Sequence, residues 1–449
     1  MMKNNEAKVP TSRLSRLSKM GGLASRLAGN VLFEGAKQFS QGKSPSMQQL
    51  MMTPTNIGHV ADKLSQLRGA AMKVGQMLSM DAGDLVPPEL ADIFAKLRSD
   101  AKAMPHKQLT HLLVEHWGPD WLAPFAQFEL RPFAAASIGQ VHLAYLETGE
   151  KLAIKIQYPG IRDSIDSDID NVATLLKVSR LIPANVKLDT LLAEAKAQLH
   201  NEADYHFEAQ QIALYQQQLA DDPSFIVPKV YKQLSNDSIL CMQFVEGVAI
   251  ESLAQSPQEV RDQIATTLMA LCFKELFEFK LVQSDPNFAN FQYQKDTQKI
   301  VLFDFGATRA ISDTLSDGYL ELMLGAADED KTKMTAAAKQ IGFFQDQIDP
   351  AQQQLIIDIF YQACEPLRFD GDYDFGASNL AKRITQAGKV MSTQQNEWHT
   401  PPTDAIFIHR KLAGMYLLAA KLNAKVNVAT LFSVYQTSNL SLTKLNVRQ

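Results

Sequence analysis

Oxygen donors crowd one short stretch of the chain. Asp285 and Asn290 lie in Gln283-Ser284-Asp285-Pro286-Asn287-Phe288-Ala289-Asn290, and Asp304 follows in Val301-Leu302-Phe303-Asp304-Phe305-Gly306. Carboxylate and amide oxygens are the ligands that a hard cation such as Mg2+ takes. The apolar run before Asp304 reads as a buried strand, which delivers its terminal carboxylate to the mouth of a cleft.

Asp-Phe-Gly after a strand is the magnesium-binding signature of protein-kinase-like folds. Alone it could be any turn. The catalytic loop of a kinase, however, offers an Asp and, five residues later, an Asn. Asp285 and Asn290 have that spacing and precede Asp304 in the required order.

Such chemistry also needs a cation for the phosphates. Val141, Leu143 and Tyr145 alternate with small or polar residues, Thr148-Gly149-Glu150 supplies a turn, and Leu152-Ala153-Ile154-Lys155-Ile156 makes a second strand. The pair is a hairpin. Ile154 and Ile156 point one way, Ala153 and Lys155 the other. A lysine beside a small residue on the inner face matches the kinase V-A-I-K arrangement. By itself, Lys155 would read as a solvated strand residue. Ahead of the hairpin, Phe133-Ala134-Ala135-Ala136-Ser137 occupies the place of a glycine-rich phosphate loop. Alanines keep the N–H donors but narrow the accessible conformations. The plain alternative is an alanine turn.

The elements that must position these groups are mostly helical. Leu64, Leu67, Ala71, Val74 and Leu78 form one stripe of a helix predicted over residues 56–80. Lys73 and Gln76 share a face of it. Gly75 in its interior costs up to about 1 kcal/mol relative to Ala, which points to close approach of another backbone. A second helix is expected over residues 89–97, after Pro87-Pro88, and a long one over 188–220. The latter carries Glu202, Asp204 and Glu208. On a continuous helix Asp204 and Glu208 share a face while Glu202 lies nearly opposite Asp204. Spacing leaves open whether Asp204 or Glu208 holds the strand lysine. Short strands near residues 225–231 and 239–245 lead to Glu246-Gly247, a hinge, and the remainder is predicted mostly helical.

Composition narrows the class. Hydrophobic residues are 46% and charged residues 21% of 449, as in a soluble globular protein. A net charge of -5 argues against a nucleic-acid binder. Cys241, Cys272 and Cys364 form no metal spacing and are expected as small core residues in a reducing compartment. No stretch approaches the about 18 apolar residues of a membrane span. The N-terminus is rich in Arg and Ser, like a mitochondrial transit peptide, but organised sequence is expected from Val9 onward, so a cytoplasmic location is favoured. Leu14, Leu17, Leu23, Leu27 and Val31, among Arg13, Arg16, Lys19 and Arg26, make a basic amphipathic stretch. It suits either its own protein surface or an anionic membrane.

Assembled, these segments resemble the UbiB family of atypical kinase-like proteins, especially the branch with the mitochondrial ADCK proteins of coenzyme Q biosynthesis. The resemblance runs from Val9-Pro10-Thr11-Ser12-Arg13 through the KxGQ motif (Lys73 to Gln76) and Ala134-Ala135-Ala136-Ser137-Ile138-Gly139-Gln140-Val141-His142. It continues through Ile154-Lys155-Ile156-Gln157-Tyr158-Pro159-Gly160, the ExD motif (Glu202, Asp204), Asp285-Pro286-Asn287 and Asp304-Phe305-Gly306. Many bacterial members instead carry His-x-Asp-Pro-His-Pro-Gly-Asn in the catalytic loop, and hydrophobic C-terminal helices.

The resemblance implies an α+β, two-lobed protein-kinase-like fold. Its parts would be a basic segment (1–45), a helical extension (46–125), an N-lobe (126–247) and a mostly helical C-lobe (248–449). It implies ATP and Mg2+ as cofactors. Lys155, paired with Glu208, would bind phosphates, with Ala134, Ala135, Ala136, Ser137 and Ala153 beside the nucleotide. Asn290 and Asp304 would bind the metal, and Asp285 would take the catalytic position. Lys73, Gln76, Glu202 and Asp204 would form a lid, with Lys73 near Glu202. The implied activity is an ATPase that supports ubiquinone production. Its partners would be ubiquinone-biosynthesis proteins, a quinone-precursor lipid or an anionic membrane surface. The alternatives are a kinase acting on a lipid or phenolic hydroxyl, and a nucleotide-gated scaffold.

Overall fold

The computed structural model describes residues 29–30, 33, 37–41, 50, 53–81, 92–94, 103–179, 188–285, 287–344, 348–393 and 402–446. The Val9 to Arg13 motif, the basic residues Arg13 to Arg26, Pro87-Pro88 and most of the helix expected over 89–97 lie outside them. The chain divides into two compact units. One comprises residues up to Ala213 together with Lys229–Phe244; the other comprises Leu214–Pro228 and Val245 onward.

The first unit begins with α1 (Pro54–Gln66) and α2 (Arg68–Asp81). Thr53 caps α1 by accepting from the Asn56 N–H, and Pro54 enters where no intrahelical donor is needed. The single helix expected over 56–80 is thus two. At Leu67 the N–H reaches back only to the Leu64 carbonyl, a tightened turn that ends α1. The apolar stripe survives the break. Leu64, Leu67, Ala71, Val74 and Leu78 are buried in one cluster with Ile165, Ile169 and Val172 of α4 (Ile161–Ser179) and Leu191, Leu192 and Ala195 of α5 (Leu188–Glu202). Gly75 has a different partner from the one expected. A Cβ there would meet the Phe94 ring at 2.3 Å, so a side chain and not a backbone makes the close approach.

The sheet of this unit is antiparallel. Its path is β1 (Phe125–Phe128), β3 (Gly139–Leu146), β4 (Lys151–Gln157) and β6 (Ile239–Gln243), with β2 (Ala134–Ala135) also on β3. Period-two alternation is explicit on β4. Leu152, Ile154 and Ile156 are buried against Leu109, Leu112 and Leu113 of α3 (His106–Trp117), while Ala153 and Lys155 take the other face. The helix expected over 188–220 is broken as well, into α5 and α6 (Tyr205–Gln218). The Ala203 carbonyl accepts from the Gln157 side chain at 2.8 Å, and the Asp204 carboxylate accepts from the Phe207 N–H at 3.0 Å. Asp204 therefore starts a new helix, as Asp does when its side chain competes for backbone donors.

The second unit holds its own small sheet, ordered β5 (Phe225–Ile226), β10 (Lys299–Leu302), β9 (Phe291–Gln294) and β7 (Val248–Ala249), plus the pair β8 (Leu281–Gln283) and β11 (Thr308–Ala310). Helix α7 (Gln258–Lys274) leads into a π turn, Glu275–Phe279. Helices α8 (Asp313–Ala327), α9 (Lys331–Ile341), α10 (Pro350–Ala363), α11 (Glu365–Arg368), α12 (Leu380–Thr393), α13 (Thr403–Lys421) and α14 (Val428–Asn446) make up the remainder, with one two-stranded pair. All three cysteines are buried, and burial pushes the Cys272 and Cys364 thiols up to about 12, as inert core residues require.

Candidate active site

In the first unit, Lys155 projects from β4 opposite the buried isoleucines. Its Nζ lies 2.9 Å and 3.1 Å from the two carboxylate oxygens of Glu208, and 5.2 Å from the Tyr205 ring centroid. Glu208 sits in the first turn of α6, where the helix dipole favours a carboxylate. Between the two carboxylates that spacing left open, Glu208 meets the lysine and Asp204 caps the helix. Ala153 shares the Lys155 face.

The lysine of α2 makes a second pair, and this one is buried on both sides. Lys73, 2% exposed, donates to Glu202 Oε1, and the other oxygen of that carboxylate accepts from Ser137 Oγ at 2.6 Å. Glu202 ends α5, so one carboxylate ties the KxGQ helix to the end of the alanine loop. The bond from Ser137 was not anticipated from the sequence; the only signal was a hydroxyl closing the run of alanines. Ala134 and Ala135 pair with Val141 and Gln140, and the Ala136 N–H reaches the Gly139 carbonyl at 2.9 Å. The loop is thus a tight hairpin. It is also pressed against α2, because a Cβ at Gly69 would stand 2.9 Å from the Ser137 carbonyl oxygen. The Gln76 side chain lies outside the described residues.

In the second unit, backbone bonds hold the two acidic segments side by side. The Phe303 N–H donates to the Asn290 carbonyl at 2.9 Å, and Ser284 donates through both N–H and Oγ to the Ala307 carbonyl. Gln283 donates from Nε2 to the Asp304 carbonyl at 3.0 Å. Asp285 is nearly buried and accepts from the Asn287 N–H at 3.2 Å. Asp304 has φ of 56°, the left-handed region, which L-residues enter at a cost of about 1–2 kcal/mol. That twist follows the buried strand directly and precedes Phe305, buried at 4.8 Å from the Tyr215 ring.

The donor set suits magnesium. Asp304 offers a carboxylate and Asn290 an amide whose nitrogen end is buried with no hydrogen-bond partner among the described residues. A flip of that side chain exchanges its nitrogen and oxygen and would put the oxygen at the orphaned position, where a cation could take it. The described residues contain no group of three or more His, Cys, Asp or Glu side chains suited to a metal. This does not conflict, since Mg2+ commonly takes one or two protein oxygens and completes its shell with phosphates and water.

The ABC1 atypical kinase-like domain family matches residues 96–338. The chain is 36% identical over 426 residues to "Atypical kinase COQ8, mitochondrial" of Saccharomyces cerevisiae, covering 94% of this chain and 85% of that protein. It is 37% identical to "Atypical kinase COQ8B, mitochondrial" of Rattus norvegicus, covering 96% and 81%. Among solved structures, the Rv3197–erythromycin complex from Mycobacterium tuberculosis superposes with a TM-score of 0.58 at 24% identity, over 82% of this chain and 92% of that one. That likeness bears on the fold alone.

Proposed function

Because the chain belongs to the ABC1, or UbiB, family of atypical kinase-like proteins, we propose that it is an Mg-ATP-dependent phosphoryl-transfer enzyme, an ATPase that supports ubiquinone biosynthesis. The observation that carries this reading is the Lys155–Glu208 pair, a half-buried lysine held by a buried carboxylate. A lysine held by a carboxylate at fixed length is a preorganised cation for phosphate oxygens, and phosphoryl transfer depends mainly on positioning and charge. The alanine hairpin, Ala134 to Ser137, would lie along the phosphates, with the Ala136 N–H closing the hairpin on Gly139 and so fixing its shape, and with Ala153 beside the nucleotide. Asn290 and Asp304 would hold magnesium. When bound, that ion supplies charge neutralisation on the phosphoryl oxygens. Asp285 orients the attacking hydroxyl or water and accepts its proton. Ubiquinone biosynthesis is supported by the two relatives, each called a COQ8-type atypical kinase. The decisive experiment follows γ-labelled phosphate from ATP. Release as inorganic phosphate is expected; label recovered in a lipid or phenolic product would replace hydrolysis by a kinase reaction, and no release at all would leave a nucleotide-gated scaffold.

The lid pairs with this activity. Lys73, Glu202 and Ser137 link α2 to the alanine loop, so we take α2 as the element that excludes protein substrates. Membrane attachment is proposed for the basic N-terminal residues. Among the described residues no helix is long and apolar enough to cross a membrane. Each basic residue near an anionic surface contributes about 1 kcal/mol. Full-length protein should float with anionic liposomes, less so at high salt and after deletion of residues 1–30. Equal flotation of the truncated protein would count against a role for Arg13, Arg16, Lys19 and Arg26.

A further inference from the structure

A third lysine–glutamate pair lies in the second unit, and its lysine is outside the stretch matched by the family. Lys411 of α13 and Glu275 of the π turn are each 1% exposed, with Nζ 2.8 Å from Oε2. The other Glu275 oxygen accepts from Tyr215 Oη at 2.7 Å. Burial, and then the charge of Glu275, push the Tyr215 phenol well above its ordinary range, so the hydroxyl remains a donor. Lys411 donates further to the Gln283 carbonyl at 3.0 Å and lies 3.4 Å from its Oε1. Gln283 in turn donates to the Asp304 carbonyl. Tyr215 also packs its ring on Phe305. The network therefore touches both segments that carry the proposed metal site: Gln283, two positions before Asp285, and the backbone of Asp304 itself.

A fully buried ion pair is weak as a source of stability, because desolvation consumes most of the attraction, and an apolar replacement of similar volume is often neutral. Its value lies in geometry. Asp304 is held in a left-handed backbone conformation that needs its surroundings to over-determine it. The π turn that supplies Glu275 is itself a rare deviation, one frequently found at functional sites.

We infer that Lys411, with Glu275 and Tyr215, is a positioning group: through Gln283 it sets the Asp304 carbonyl and so the direction in which the Asp304 carboxylate meets magnesium. The inference rests on the magnesium role proposed for Asp304. The partners of Lys411 are Glu275 and Gln283, so its effect on the metal would be indirect. It fixes the Gln283 amide so that one end accepts from the ammonium and the other donates to Asp304. Residues that orient a metal ligand in this way typically change metal affinity by about 10–100-fold when lost.

The test uses the full chain and reads the thermal shift produced by ATP as Mg2+ is titrated, with ATP in EDTA as the metal-free reference. The double variant Lys411→Met/Glu275→Leu keeps the buried volume and leaves no lone charge. It should melt close to wild type without ligand, yet need about tenfold more Mg2+ for half the ATP-induced shift. The shift by ATP in EDTA should be unchanged, which a merely structural loss would not spare. Gln283→Met cuts the last link with the ion pair intact and should raise the Mg2+ requirement to the same extent; it decides the matter if the double variant does not fold. A wild-type Mg2+ requirement in the variant that folds overturns the inference while leaving the proposed function standing. A wild type with no Mg2+-dependent shift overturns both.

Discussion

Asp304→Asn is expected to abolish the magnesium-dependent stabilisation of the protein by ATP. The substitution is nearly isosteric and leaves the backbone bonds intact: the Asp304 carbonyl still accepts from Gln283, and Phe303 still donates to Asn290. Asparagine also tolerates the left-handed φ of 56° at least as well as aspartate. The fold should therefore survive, with an apo melting temperature within a few degrees of wild type. What is lost is the charged oxygen that a hard cation prefers. With Asn290 as the other protein donor, an uncharged pair would face the ion. The Mg-ATP thermal shift should collapse to that seen with ATP in EDTA, and labelled phosphate release should fall by about 100-fold or more, the loss typical of charge stabilisation in phosphoryl transfer. An unchanged Mg-ATP shift in the variant would remove Asp304 from the site.

Lys73→Met is expected to have the second large effect, first on stability and then on specificity. Lys73 and Glu202 are buried together, and the remaining partner of Glu202 is the Ser137 hydroxyl. Removing the lysine strands a carboxylate in the interior, a change that costs about 3–5 kcal/mol for a buried pair. The double variant Lys73→Met/Glu202→Gln should recover most of that loss, because an amide can still accept from Ser137 without a charge. Denaturant melts measure both. If the single variant unfolds no more easily than wild type, the pair is not stabilising the α2 contact. The double variant then isolates the proposed lid. With α2 no longer tied by charge to the alanine loop, it should label generic protein substrates or itself with γ-phosphate, where wild type does not. Ala136→Gly, which frees the hairpin turn, should shift nucleotide preference in the same assay. Wild type that phosphorylates generic proteins well, with neither variant altering binding or transfer, would make this an ordinary kinase.

Local rules carried much of this protein. The period-two alternation around Ile154 and Ile156 already placed Lys155 on the face opposite the core, because a strand can put a residue on only two sides. The apolar run before Asp304 is short and uninterrupted, which reads as a buried strand, and β10 is that strand, although it ends at Leu302, two positions before the carboxylate. The stripe from Leu64 to Leu78 foretold which face of the first helices is buried, even though a turn at Leu67 divides them. Family membership was equally legible, since the motifs that carry it are short and ordered along the chain.

Tertiary structure decided what depends on partners distant in sequence. Helical spacing could not choose between Asp204 and Glu208, and it assumed a continuous helix. The Gln157 side chain takes the Ala203 carbonyl and Asp204 turns its own side chain to the backbone, so the helix restarts and only Glu208 reaches Lys155. Gly75 signalled a close approach, but only the fold shows that the neighbour is the Phe94 ring. Ser137 meets Glu202 across 65 positions of sequence, and Lys411 meets Gln283 across 128. No periodicity encodes contacts of that separation. They exist because the core packs first on apolar faces, and buried polar groups then take whichever partners the packing has brought within reach.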